Sequence, residues 1–204
     1  MSTRAESLQA LLRDTRLWRG AEQASLRAEA TGHAQLDALL PGGGWPCANL
    51  SEIVYAAPGV GELRLAMPLA ARLTQAGRKL ALIAPPHLPY APALRRHGIA
   101  LAQLAVVDTI GDGDALWAAE ELLRARAGAV LLWQDRLDPL AQRRLQLAAE
   151  TGGGIALVYR RLTSREAPSV AALRLKIECV GGAPRVEVLK CRGARPTHVC
   201  ALDA

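Results

Sequence analysis

Between residues 50 and 159 the chain alternates short apolar runs with segments of helical periodicity, and that alternation leaves few folds open. The runs fall at 50–56, 79–84, 104–107, 129–133 and 155–159. Each is apolar nearly throughout, not at every second position, as expected of strands buried on both faces. Helical segments separate them. One spans 63–75, one contains Leu94, Arg95 and Arg96 and runs to Gly98, and one spans 114–126. The last is opened by Asp138-Pro139, a capping residue followed by proline at the first helical position, and is closed by Gly152-Gly153-Gly154. Strand alternating with helix predicts a largely parallel sheet flanked by helices, an α/β fold. The tail differs. Residues 173–179 and 185–190 alternate apolar and charged positions around Gly181-Gly182-Ala183-Pro184, which predicts an antiparallel C-terminal hairpin with one solvated face.

Ahead of this core, residues 6–30 read as a helix, with Leu8, Leu11, Leu12 and Trp18 near helical spacing and arginines and acids between them. Thr31-Gly32 breaks it, and Leu36, Leu39 and Leu40 begin a second, short helix that Pro41-Gly42-Gly43-Gly44 ends. Trp45-Pro46-Cys47-Ala48-Asn49 reads as a turn. The expected organisation is an N-terminal docking helix (1–30) and a core domain (31–204). A length of 204 residues suits one such domain. No apolar run reaches the roughly 18–20 residues of a membrane span, and the first residues lack the unbroken apolar stretch of a signal peptide, so a cytoplasmic protein without membrane contact is expected.

Charge and side-chain chemistry narrow the function classes. There are 25 Lys+Arg against 19 Asp+Glu, and from Ala156 onward the count is nine cations against four acids. Nucleic acid or an acidic protein surface would be attracted to that end, although a GC-rich genome also favours arginine. Only seven aromatic residues, none of them Phe, argue against base-stacking platforms. Cys47, Cys179, Cys191 and Cys200 form no closely spaced pair, so no metal site is expected. His33, His87, His97 and His198 are scattered, and no serine sits in a nucleophile elbow. Asp108, Asp112 and Asp114 around Gly111 and Gly113 lack the spacing of a calcium loop and read as a turn with an aspartate helix cap.

Strand, glycine-rich loop and helix follow one another at Pro58-Gly59-Val60-Gly61, the context a phosphate-binding loop requires. The chemistry does not match. Laid on residues 56–63, the pattern finds Ala56 in place of the first glycine and Gly61 in register. Glu62 then stands where lysine should be, and Leu63 where the magnesium-binding hydroxyl should be. A lysine about 4 Å from a phosphate oxygen contributes roughly 4 kcal/mol at an effective dielectric near 20, and a carboxylate there reverses the sign. After the strand at 79–84 stand Pro85, Pro86 and His87 in place of a water-activating carboxylate. After the strand at 129–133 stands Gln134, with Asp135 one position late for a metal ligand. A working ATPase needs the cradle, the metal and the water positioner together. Neither ATP hydrolysis nor any cofactor is expected, and the protein reads as a non-enzyme.

These residues resemble the RecA-like superfamily, and within it the ImuA group of translesion-synthesis accessory proteins, related to the SulA-type proteins. The resemblance is carried by Thr31-Gly32-His33-Ala34-Gln35-Leu36-Asp37-Ala38-Leu39-Leu40-Pro41-Gly42-Gly43-Gly44-Trp45-Pro46 and by Glu52-Ile53. It extends to the altered loop Gly59-Val60-Gly61-Glu62-Leu63-Arg64-Leu65, and to the tryptophan that ends the run at 129–133. The stretch Leu157-Val158-Tyr159-Arg160-Arg161, followed by Ala172-Leu173-Arg174-Leu175-Lys176, sits where RecA has a core strand, a DNA-contacting loop and the next strand. The likeness covers residues 31–190 and is most specific over 31–65.

The resemblance implies a RecA-like core and a non-catalytic adaptor in SOS-induced, error-prone translesion synthesis. Such an adaptor would link RecA or damaged DNA to an ImuB-type polymerase-like protein and, through it, to a DnaE-type polymerase. Leu8, Leu11, Leu12 and Trp18 would dock on RecA, on ImuB or on a second copy. Arg160, Arg161 and Arg165, continued by Arg174 and Lys176, would contact DNA phosphates without sequence preference, or form a solvated edge that deters aggregation. The alternatives are a SulA-like division inhibitor binding FtsZ and a residual RecA-type nucleotide-binding protein.

Overall fold

A computed structural model describes residues 27–109, 111–162, 169–193 and 199–202. It opens with a two-residue strand, β1 (Ala28–Glu29), which pairs antiparallel with β2 (Trp45–Pro46) across the short helix α1 (Ala34–Leu39). An eight-stranded sheet follows, built from β3 (Asn49–Tyr55), β4 (Leu80–Ile83), β5 (Leu104–Val107), β6 (Ala129–Trp133), β7 (Ile155–Arg161), β8 (Leu173–Val180), β9 (Ala183–Cys191) and β10 (Val199–Ala201). Its order is β10-β9-β8-β3-β7-β6-β4-β5, and β8, β3, β7, β6, β4 and β5 run parallel. Helices α2 (Met67–Gln75), α3 (Ala91–Arg96), α4 (Asp112–Arg124) and α5 (Pro139–Gly152) make the crossovers. The fold is therefore mixed α/β, with a mostly parallel sheet flanked by helices.

Crossover handedness explains the two layers. From β3 through β4 to β5 the chain moves in one direction and lays α2 and α3 on one face. It then turns back through β6 to β7 and lays α4 and α5 on the other, as right-handed connections require. The first core gathers Leu36, Ile53, Tyr55, Leu65, Leu69, Leu73 and Tyr159. The second gathers Leu50, Leu116, Leu123, Val130, Leu145 and Val158. Helix α5 begins as the sequence predicts: Asp138 accepts a hydrogen bond from the Ala141 N–H at 2.7 Å, Pro139 is its first residue, and Gly153 ends it in the left-handed region at φ 74°.

Several expectations need correction. Residues 28 and 29 are a strand, not the end of a helix running to residue 30, because the Glu29 carboxylate is tied to Arg78 at 3.2 Å and the Ala30 carbonyl accepts from Arg72. Gly44 makes that strand possible, since a Cβ there would stand 2.1 Å from the Glu29 carbonyl oxygen. Trp45–Pro46 is accordingly strand, not turn. Helix α4 starts at Asp112 with Gly111 as its cap, so Asp112 and Asp114 act within the first turn, where their charge suits the helix dipole, and neither caps it through its side chain. Strand β10 has no counterpart in the predicted elements. The rest of the expected helix over 6–30, including Leu8, Leu11, Leu12 and Trp18, lies outside the described residues.

Candidate functional site

The loop after β3 leads to the face carrying α2, whereas the loop after β6 leads to the opposite face, which carries α5. The strands therefore part at their carboxyl ends, the place where open α/β sheets hold ligands. A cleft of about 530 Å³ lies there, bounded by Tyr55 at the end of β3 and Pro58 beyond it, Pro86 beyond β4, Gln134 and Asp135 beyond β6, and Arg161 at the end of β7.

The loop has the shape its sequence promises. Gly59 and Gly61 take φ of 90° and 95°, a region glycine enters without steric cost. Gly61 also faces the C-terminal hairpin, where an added Cβ would come 3.3 Å from Pro184. The helix beyond the loop starts with one 3-10 turn, Arg64–Ala66, before α2, and Leu63 packs against the first core.

Glu62 decides what the loop can do. Its side chain is buried, at 7% exposure, and turns back so that both carboxylate oxygens lie 3.1 Å from the Gly59 N–H, which donates to them. A glycine loop ahead of a helix attracts an anion through its amides. Here the chain's own carboxylate sits at that amide, and no lysine follows the glycines.

The metal side is equally changed. Asp135 is held by Arg161, accepting from its backbone N–H at 2.8 Å and pairing with its guanidinium. The Asp135 carbonyl accepts from Arg160 Nε at 3.3 Å. Gln134, at the position nearest a metal-holding aspartate, donates through Nε2 to the Arg136 carbonyl at 3.1 Å. Among the described residues no group of three or more His, Cys, Asp or Glu is placed to hold a metal ion.

Beneath the cleft, Trp133 stacks on Tyr159 with ring centroids 4.5 Å apart and planes 10° from parallel. Trp133 Nε1, Tyr159 Oη and Gln134 Oε1 are buried without a hydrogen-bond partner among the described residues. Burial, then the charges of Asp135 and Glu62, pushes the Tyr55 hydroxyl up to about 12. Burial, then Glu62 and Tyr55, raises Tyr159 as well. Both phenols stay protonated at neutral pH.

The arginines proposed for DNA divide into separate ion pairs. Arg160 Nη1 and Arg174 Nε reach the two carboxylate oxygens of Glu52, at 3.0 and 3.3 Å, and Glu52 is wholly buried on β3. Registers place this carboxylate between the two cations, since Glu52 lies opposite Arg174 on β8 and opposite Val158 on β7, two residues before Arg160 on the same face. Arg161 points instead to Asp135, and Lys176 pairs with Glu178 at 2.8 Å and Glu187 at 3.6 Å. Arg165 lies outside the described residues. Among the described residues, each of these cations is thus paired with a carboxylate. The signal missed in the sequence is Glu52 itself, an acid within an otherwise apolar central strand, which needs cationic partners from its neighbours.

Fold and site together define an open, mostly parallel α/β protein whose glycine loop is closed by an internal carboxylate. No family model matches the chain, and no curated protein matches it. Among solved structures it is similar to the crystal structure of SulA from Pseudomonas aeruginosa, with 30% identity and a TM-score of 0.49, over 57% of this chain and 100% of that one. The strand order and registers above, not this likeness, define the fold. No helix among the described residues is long and apolar enough to cross a membrane.

Proposed function

We propose that this chain is a non-catalytic, RecA-like adaptor in SOS-induced error-prone translesion synthesis, linking RecA or DNA to an ImuB–DnaE-type polymerase assembly. The observation that carries the non-catalytic part is the Glu62 carboxylate on the Gly59 amide. A phosphate approaching that amide meets a fixed negative charge instead of a lysine. The neighbouring polar groups support the same reading, because Gln134 and the arginine-bound Asp135 stand where a magnesium ligand would have to be. A nucleotide fold kept without this chemistry is left with binding as its work. The polymerase partners come from the resemblance of residues 31–65 to ImuA-type proteins.

The test is recovery of the full chain from cells after DNA damage, with RecA, ImuB and FtsZ each probed among the captured proteins. ImuB or RecA supports the adaptor, and FtsZ in their place moves the assignment to a SulA-like division inhibitor. Equilibrium ATP binding on the purified protein is the companion measurement. Tight, magnesium-dependent binding would favour the alternative of a residual RecA-type nucleotide-binding protein over the adaptor.

A further inference from the structure

Helices α4 and α5 lie side by side on the second face of the sheet, and their outer surfaces carry three of the exposed large apolar residues. Trp117 on α4 is 63% exposed, and Leu140 and Leu147 on α5 are 70% and 45% exposed. Helical spacing sorts their neighbours. On α4 the outward row is Asp114, Trp117 and Glu121, an aromatic between two acids. On α5 it is Leu140, Arg143 or Arg144, and Leu147, cations between two leucines. Helix α4 as a whole carries Asp112, Asp114, Glu120 and Glu121 against Arg124, whereas α5 carries Arg143 and Arg144 against Glu150. The groove between the helices is already closed at its floor, where buried Glu120 pairs with Arg144 at 2.8 Å and Arg124 at 3.2 Å.

An acidic, aromatic row beside a basic, aliphatic row is self-complementary under a two-fold rotation. An axis parallel to the helices sets α4 of one copy against α5 of the other, twice over. Trp117 then meets leucines and the acids meet arginines, as an isologous contact requires. We propose that this face binds a second copy of the same chain, giving a symmetric dimer. The proposal is independent of the adaptor reading, since it uses neither the glycine loop nor the cleft.

Sedimentation of the full chain tests it. The wild type is expected to show a concentration-dependent dimer at micromolar concentrations, on the order of 1–10 µM. Trp117→Ala should raise the dissociation constant about tenfold or more, as an aromatic anchor does. Glu121→Arg and Arg143→Glu should each weaken the dimer by about tenfold or more, through like charges set face to face. Two combinations restore opposite charges at both contacts: the double variant Glu121→Arg/Arg143→Glu, and an equimolar mixture of the single variants. Both should recover the dimer. Glu121 also pairs with Arg124 at 2.7 Å within its own helix. The double variant still lacks that pair, so recovery cannot come from repaired folding, and unchanged melting of each variant supplies the control. A monomer at every concentration would overturn the proposal, and so would a dimer indifferent to the charge exchange.

Discussion

The carboxylate of Glu62 lies on the backbone N–H of Gly59, both oxygens at 3.1 Å, three residues back along the chain. This contact ties the glycine loop shut from inside. It places a fixed negative charge on an amide of the loop and braces the turn that its left-handed glycines make. The acid is structural here, and its removal should expose an amide rather than create an enzyme.

Replacing Glu62 with alanine therefore removes a charge-assisted hydrogen bond from a buried loop, which should cost about 1–3 kcal/mol in urea denaturation. Glu62→Lys should not produce ATP hydrolysis, because Gln134 and the arginine-bound Asp135 leave the metal unprovided for. Phosphate release from ATP, measured with magnesium present, should stay at background for wild type and variant alike.

Glu52 should be more costly to lose. With no exposed surface, it pairs through its two oxygens with Arg160 and Arg174, two cations whose side chains are each only 12% exposed. Glu52→Ala leaves them without their carboxylate and should destabilise the fold by about 3–5 kcal/mol, enough to prevent folding in a marginal domain. Arg160→Ala should also register as lost stability. An assay of DNA binding is therefore cleaner with Arg161→Ala and Arg165→Ala, and loss of a low-salt complex in that pair, without a change in melting, would assign DNA contact to these two arginines.

The alternation of apolar runs and helical segments made most of the sheet and its crossovers legible in the sequence, because doubly buried strands must be apolar and helix ends carry their caps. The doubly buried strand β6, the partly exposed edge strand β5 and the start of α5 follow the expected bounds. What escaped depends on neighbours distant in sequence. The pairing of Ala28–Glu29 with Trp45–Pro46 rests on the close approach of Gly44, which no local pattern announces. Period two on β8 shows that Arg174 and Lys176 share a face, but only the register with β3 reveals the acid beside Arg174. At the loop, the identity of Glu62 is plain, whereas its turn back onto Gly59 depends on the left-handed conformation of Gly59 and Gly61, which the letters alone do not fix.

The phenol of Tyr55 gives the protein an alkaline limit. Its folded-state value is pushed up to about 12, while an unfolded tyrosine ionises near pH 10. Between these values the native chain keeps a proton that the unfolded chain releases, so stability is full below about pH 10 and falls as pH rises toward about 12. Tyr55→Phe should flatten that part of the profile relative to wild type in parallel denaturation series. Identical slopes in the two proteins would show that the hydroxyl is not held neutral by the fold.

Gly32 tests the segment that precedes the sheet. It takes φ 89°, and a Cβ there would stand 2.3 Å from Pro68 Cβ at the start of α2. Its N–H and that of Thr31 donate to Asp37, at 3.3 and 2.7 Å, so the turn is fixed from the α1 side as well. Gly32→Ala must both enter a left-handed conformation and displace α2, and the backbone strain alone is worth about 1–3 kcal/mol. Asp37→Ala removes the hydrogen bonds without the clash and should cost only about 1–2 kcal/mol. Thermal melting of the two variants separates steric from polar control of this turn: Gly32→Ala should melt lower, and the reverse order would mean that the Asp37 bonds, not the Pro68 contact, hold the segment against the sheet.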